Sequence, residues 1–365
     1  VAAVTDAVLV TGAGGYLGRL LVDELLERSD RPVWLWLHAA DADALARRAR
    51  LVEATLGPRA VGRVRILGGD LTSAEPFAQV AGAGIGAIIH AAAITRFNVD
   101  APAAAAVNVA GTAKLIAFAR LCPRLGALTY ASTLYASGLS EGDVAEAPLA
   151  DAGFANHYEA SKWAAENALF GARDLPVRVL RLPTLVVDDE DGGIGQHNAF
   201  HNTLRLLRAG LLALMPGEAE TPLYLGAGRF AARAAVRLTL DRTATGVYHV
   251  VHGASEALTL GALLARAFQH FACDPVFRAR RLLPPPLCDR ATFADVAGAL
   301  GAVGGPLLVA ALASLTPFAP QLYAAKRFDN RRLRAALPDE APPAAAPLVG
   351  AALACLCAAR AEGAA

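Results

Sequence analysis

Short apolar runs and amphipathic stretches alternate through the first half of the chain. Ala7–Thr11, Pro32–Leu37, Val64–Leu67, Gly86–His90, Leu125–Ser132 and Val177–Leu182 are brief, rich in aliphatic residues, and read as buried strands. Between them, Leu17–Arg28 carries Leu17, Leu20, Leu21 and Leu25 at helical spacing. Asp41–Leu56, Val107–Leu121 and His157–Phe170 read as further helices. Strands and helices alternating across short connections predict a parallel sheet covered on both faces, the doubly wound α/β arrangement.

After Pro183 the pattern loosens. Asp188–Gly195 is acidic and glycine-rich and reads as a mobile loop. Ala199–Leu212 and Thr259–Phe271 read as helices and Val247–Val251 as a strand. Arg281–Pro286 is a proline-rich turn, and the Pro/Ala-rich stretch from Pro338 to Pro347 precedes one last alanine-rich helix. The expected organisation is a Rossmann domain over residues 1–185 and a smaller, partly helical substrate-binding region over 186–365, interleaved with the last strands of the sheet. Two apolar segments, Ala199–Leu212 and Val303–Phe318, are candidate walls of a substrate pocket.

Composition narrows the function. With 365 residues, 55% hydrophobic and 18% charged, the chain can bury a large core. A net charge of +1 without a basic run argues against nucleic-acid binding. The five cysteines (Cys122, Cys273, Cys288, Cys355, Cys357) lack paired metal-ligand spacing, so no metal is expected, and their odd number fits reduced thiols in a cytoplasmic setting. Strand-like sequence begins near Ala7, so no signal peptide is expected, and the opening Val fits a processed chain or an excised module. Val303–Phe318 is shorter than the ~20 residues that span a bilayer, which leaves membrane contact open but not spanning.

The first candidate chemistry is Thr11-Gly-Ala-Gly-Gly-Tyr-Leu-Gly18, between a strand and a helix. Gly12 allows a tight turn, Gly15 lets backbone approach a pyrophosphate, and Gly18 permits close helix–strand packing. The anion would rest on the helix N-terminus, with Thr11, Gly14, Tyr16 and Leu17 around it. An acid at the end of the second strand would favour NAD; here the strand ends at His38 and the next acid is Asp41. Arg19, Arg47 and Arg48 are candidates for a 2′-phosphate, so NADPH is expected and NADH stays open. Asp70, followed by Leu71, is placed for the adenine amine.

The second is Tyr158-Glu-Ala-Ser-Lys162. Residues four apart share a helix face, so the Lys162 ammonium can lower the phenol pKa of Tyr158 from its ordinary value near ~10. Thr133, after the fifth strand, can hydrogen-bond a substrate carbonyl, Tyr158 can donate a proton, and Asn108 can anchor a water that contacts Lys162.

These residues, with Gly69-Asp70-Leu71, His90-Ala91-Ala92-Ala93 and Asn108-Val-Ala-Gly-Thr112 in order, resemble the extended short-chain dehydrogenase/reductases over roughly residues 7–185. The resemblance implies that Ala91, Ala92, Ala93, Pro183 and Thr184 also border the cofactor. Ala91-Ala-Ala-Ile-Thr-Arg-Phe97, Ser132-Thr133, Phe154–Lys162, Tyr323 and Phe328-Asp329 are similar to the thioester-reductase and fatty acyl reductase branch. That branch implies NADPH-dependent reduction of an acyl thioester, on coenzyme A or an acyl carrier protein, to an aldehyde and in some members an alcohol. His38 stands where the branch has an arginine, and Asp188–Phe200 departs from its pattern. A reductase of a ketone or sterol-like carbonyl, a sugar-nucleotide epimerase, and a non-catalytic cofactor-binding scaffold stay open, as do monomer and homodimer.

Overall fold

The computed structural model describes residues 6–358 except 190, 304, 306–308 and 310–312. Among the described residues seven parallel strands form one sheet: β1 (Ala7–Thr11), β2 (Val33–His38), β3 (Val64–Gly69), β4 (Ile85–His90), β5 (Ala127–Thr133), β6 (Val177–Leu182) and β7 (Gly246–His249). Their spatial order is β7-β6-β5-β4-β1-β2-β3. The direction of winding reverses between β1 and β4, where a crevice opens beyond the strand ends. Thr11 lies opposite His90, and His90 opposite Tyr130, so three strand ends meet there.

Helices cover both faces. α1 (Tyr16–Arg28) buries Leu21 and Leu25 in the same core as Ala231, Ala234 and Leu238 of a helix over Gly228–Leu240. α2 (Ala42–Leu56) is capped by Asp41, whose carboxylate accepts from the Ala44 amide at 2.7 Å. On the other face a continuous helical stretch, residues 101–120, carries a π-helical segment, Ala105–Ala110. This is the one described helix long and apolar enough to cross a membrane. It packs on the sheet instead, with Leu115, Ile116 and Phe118 buried beside Leu128 and Tyr130. α3 (His157–Gly171) lies next to it and starts at Asn156, whose side chain accepts from the Glu159 amide at 3.0 Å.

The C-terminal half is built differently. Among the described residues it forms four small ladders: Gly142–Val144 with Lys326–Phe328, Thr184–Val187 with Leu225–Ala227, Met215–Pro216 with Leu287–Cys288, and Pro222–Leu223 with Leu258–Thr259. Each joins segments far apart in sequence. Helix Ala199–Ala209 ends at Gly210, held at φ +69, earlier than the expected Leu212. Part of Val303–Phe318 lies outside the described residues; near its end, Leu315 is fully buried. The described part of Asp188–Gly195 turns back on itself through Asp188 N–H to Gly193 O, 2.9 Å.

Candidate active site

The glycine loop leaves β1 at Gly12, at φ +73. A Cβ there would lie 2.6 Å from the Ala92 nitrogen and 2.8 Å from the Ala91 oxygen, so only glycine passes under the exit of β4. A Cβ on Gly18 would collide with the Gly12 carbonyl, which fixes how tightly α1 meets β1. Gly14 and Gly15 are exposed. Gly15 begins α1 with no side-chain cap, and the first turn holds no acid. These residues fit a pyrophosphate: backbone donors, a helix N-terminus and no competing carboxylate.

Thr11 is fully buried, not facing the loop. Its hydroxyl lies 2.7 Å from His90 Nδ1 and accepts from the Ala92 amide at 3.2 Å, stitching β1 to β4. Burial, then the Lys162 charge, lowers the His90 pKa to about 3, so the ring is neutral. The Tyr16 phenol crosses to the second half and donates to Asp188 Oδ1 at 2.7 Å. Burial and that carboxylate hold it protonated. Leu17, Ala91 and Ala93 line the main cavity, whereas Ala92 contributes its backbone to the Thr11 stitch.

The far end of the cofactor region is open surface. His38 Nε2 lies 3.6 Å from Asp70 Oδ2. Asp70 Oδ1 accepts from the Thr72 amide and hydroxyl, both at 2.8 Å, and these bonds pull its pKa below the ordinary carboxylate range. Arg48 is exposed on α2. Leu71 is a core residue, with its carbonyl accepting from Lys114 Nζ at 2.9 Å.

At the end of β5 the Thr133 hydroxyl accepts from the Tyr135 amide at 3.2 Å and shares a hydrogen bond with the Tyr158 phenol. Tyr158 is 8% exposed. Burial pushes its pKa well above the ordinary value, the Thr133 bond pulls it back, and Tyr135 and Glu159 push it up again. Lys162 donates to the Ala131 carbonyl at 2.7 Å and sits 4.0 Å from the Tyr130 ring centre. Burial lowers its pKa to about 7, opposed by Glu166. The expected lowering of the phenol by the ammonium is therefore not what this geometry carries; the phenol's partner is Thr133. Asn108 sits in the π-helical segment, accepts from the Ile94 amide, and donates to the Ile94 carbonyl and Ser161 Oγ, each at 2.9 Å. It clamps the chain leaving β4 to α3.

Behind this set lies a buried network that sequence reasoning missed. Ser132 Oγ donates to Glu166 Oε1, and Arg181 Nη2 to Glu166 Oε2 at 2.7 Å. The signal was present: Arg181 interrupts an apolar strand, and a charge inside a core strand needs a partner. Glu166, four residues beyond Lys162, was the available carboxylate.

A cavity of about 370 Å³ unites the site. Gly12, Gly15, Thr133, Tyr158, Lys162, Pro183 and Thr184 line it. So do Phe200, Leu204, Met215, Leu225, Leu260 and Leu263, so the helix beginning at Ala199 contributes to its wall. Phe97 lies edge-on to Tyr158 (centroids 5.7 Å) and to Tyr135 (5.4 Å).

Comparison with known proteins places this arrangement. The family profile described as male sterility protein, an NAD-binding family, matches residues 10–225. An isonitrile lipopeptide synthase of Mycobacterium tuberculosis is 30% identical over 218 residues, 51% of this chain and 8% of that protein. One of Streptomyces coeruleorubidus is 31% identical over 236 residues, 60% of this chain and 16% of that protein. The chain therefore matches a small part of each relative's length. The crystal structure of the terminal R domain from the myxalamid PKS-NRPS pathway superposes with a TM-score of 0.78 at 21% identity, covering 99% of this chain and 92% of that one.

Proposed function

The chain belongs to the male sterility protein family and is an NAD(P)-dependent oxidoreductase of the extended short-chain dehydrogenase/reductase type, and we propose that it reduces an acyl thioester to an aldehyde. The observation that carries this reading is the continuity of the cavity. Thr133 and Tyr158 share one cavity with a set of aliphatic side chains, which suits a carbonyl with an apolar chain better than a sugar diphosphate. The likeness to an R domain and to lipopeptide synthases supports it.

The Thr133 and Tyr158 hydroxyls would hydrogen-bond the thioester carbonyl oxygen and stabilise the charge that develops on it. Tyr158, neutral because it is buried, is the proton donor. The hydride to the carbonyl carbon would come from a nicotinamide held by the glycine loop, Tyr158 and Lys162. The resulting hemithioacetal then breaks its C–S bond, releasing aldehyde and a free thiol. Phe97 and Phe318, whose ring centres lie 5.9 Å apart, help keep water from the carbonyl. The thiol belongs to coenzyme A or to the pantetheine arm of an acyl carrier protein.

NADPH is the proposed cofactor. Asp41, the first acid after β2, is engaged in capping α2, which leaves that strand end to His38 with Arg48 on the following helix. The test is incubation with NADPH or NADH and a panel of acyl-CoA and acyl-pantetheine thioesters, with products identified. Aldehyde formed with NADPH ahead of NADH is expected. Turnover of ketones with no turnover of any thioester would overturn the reading.

A further inference from the structure

Three buried polar side chains outside the catalytic set sit where the two halves of the molecule meet. Glu159, the residue after Tyr158, is fully buried; Gln321 and Lys326 are 8% and 5% exposed. Gln321 Nε2 donates to Glu159 Oε2 at 2.8 Å and to the Gly138 carbonyl at 2.9 Å. Lys326 Nζ donates to Gln321 Oε1 at 2.6 Å and also to Gly138 O. The rest of the Glu159 carboxylate is satisfied by the Ala155 amide and by Asn156 Nδ2, both at 3.0 Å. Asn156 Nδ2 reaches on to the Pro317 carbonyl at 2.9 Å.

The Gln321–Glu159 and Asn156–Pro317 bonds join one pair of segments, and the Gly138 carbonyl ties the second of them to the turn after β5. On one side is the first turn of α3, which carries Tyr158 and Lys162. On the other is the stretch from Pro317 to Lys326, which supplies Phe318 and Leu322 to the cavity. Phe318 continues the contact through Phe97, 5.9 Å away, to Tyr158, 5.7 Å further. A buried carboxylate and a buried ammonium bridged by an amide are a costly way to hold two segments together; aliphatic residues would bury more cheaply. What it adds is direction, because hydrogen bonds fix geometry where apolar contacts slide.

We propose that the Glu159–Gln321–Lys326 cluster is a positioning device that sets the Phe318/Leu322 wall of the substrate cavity against the catalytic tyrosine. The cluster touches neither the glycine loop nor the reacting atoms, so its loss acts on substrate placement and not on cofactor binding.

The inference takes its assay from the thioester reading, so the experiment carries a readout that does not need turnover. Gln321→Leu removes the bridge while Glu159 keeps Ala155 and Asn156, and Lys326 keeps Gly138. Glu159→Gln, Lys326→Met and their combination form a cycle. Each protein is measured for NADPH affinity, for binding of a dansyl-labelled fatty acid to the cavity, and for kcat and KM with the preferred substrate. Gln321→Leu is expected to weaken fatty-acid binding and raise KM by about 10-fold, the effect of about 1.4 kcal/mol, with NADPH affinity within about 2-fold of the parent. The combined Glu159→Gln/Lys326→Met variant is expected to recover part of what either single change loses, because an unpaired buried charge costs more than none. Unchanged fatty-acid binding and KM in Gln321→Leu would overturn the proposal, as would equal losses in NADPH and fatty-acid binding, the mark of general unfolding. A parent that binds the fatty acid yet reduces no thioester would count against the thioester reading and leave this inference tested by binding.

Discussion

The nucleotide-binding half holds its site with one sheet, each strand paired to its neighbours over four to six residues, whereas the C-terminal half holds the apolar wall with ladders of two or three residue pairs. The first half sets the reacting groups at strand and helix ends, positions the backbone determines closely. Thr133 ends β5, and Tyr158 and Lys162 lie one turn apart on α3. The second half contributes Phe200, Leu204, Met215, Leu260 and Leu263, whose exact shape depends on several loops agreeing. On the proposed thioester reading, chemistry belongs to the regular half and selection of the substrate chain to the irregular one.

Substitutions can separate those two roles. The largest effect is expected from Tyr158→Phe, which removes the proton donor and should lower kcat about 10² to 10⁴-fold. Fluorescence titration should show NADPH binding retained; a loss of binding equal to the loss of rate would erase the distinction between the halves. Next comes Leu263→Phe, in the buried aliphatic lining, 5% exposed. It should disfavour long acyl chains over short ones by about 10-fold or more, since one misfitting methylene is worth about 1–3 kcal/mol in an apolar pocket. An unchanged chain-length profile would show that the substrate tail runs elsewhere.

The last effect concerns pH and bears on stability, not on turnover. Burial depresses the Lys162 pKa to about 7 from 10.5. Between those values the folded lysine is neutral and the unfolded one charged, so unfolding takes up a proton and stability rises with pH. Lys326, lowered to about 8, adds the same sign over a narrower window. Removing Lys162 as Lys162→Met should flatten this rise by up to about 1.4 kcal/mol per pH unit, measured by urea unfolding of the cofactor-free protein between pH 7 and 10. No change of slope would mean that Lys162 stays charged in the folded state.

The same contrast explains what was legible in the sequence. Ala7–Thr11 and Val177–Leu182 were read with their observed ends, because a strand buried on both faces is a continuous apolar run bounded by turn residues. Thr133, Tyr158 and Lys162 are brought to one cavity as their positions predicted. The helix Gly228–Leu240 was overlooked although Phe230, Ala234 and Leu238 recur every four residues, since alanine marks a buried stripe weakly. The ladders were illegible for a different reason. A two-residue strand such as Met215–Pro216 has no period to detect, and its partner lies beyond residue 280. Side-chain partners were not legible: Asn108 bonds to Ile94 and Ser161, and Lys162 to the Ala131 carbonyl. Spacing along a helix says which residues share a face, not which of several acceptors a side chain takes.

One measurement tests the central claim most directly. With a single acyl-CoA and NADPH, the free thiol, the aldehyde and the oxidised cofactor are counted together in the same reaction. The account predicts that the three rise together, one thiol and one aldehyde for each NADPH consumed in the first reduction step, and that all three vanish in Tyr158→Phe. NADPH oxidised against ketones but never against the thioester, with no thiol set free, would contradict it.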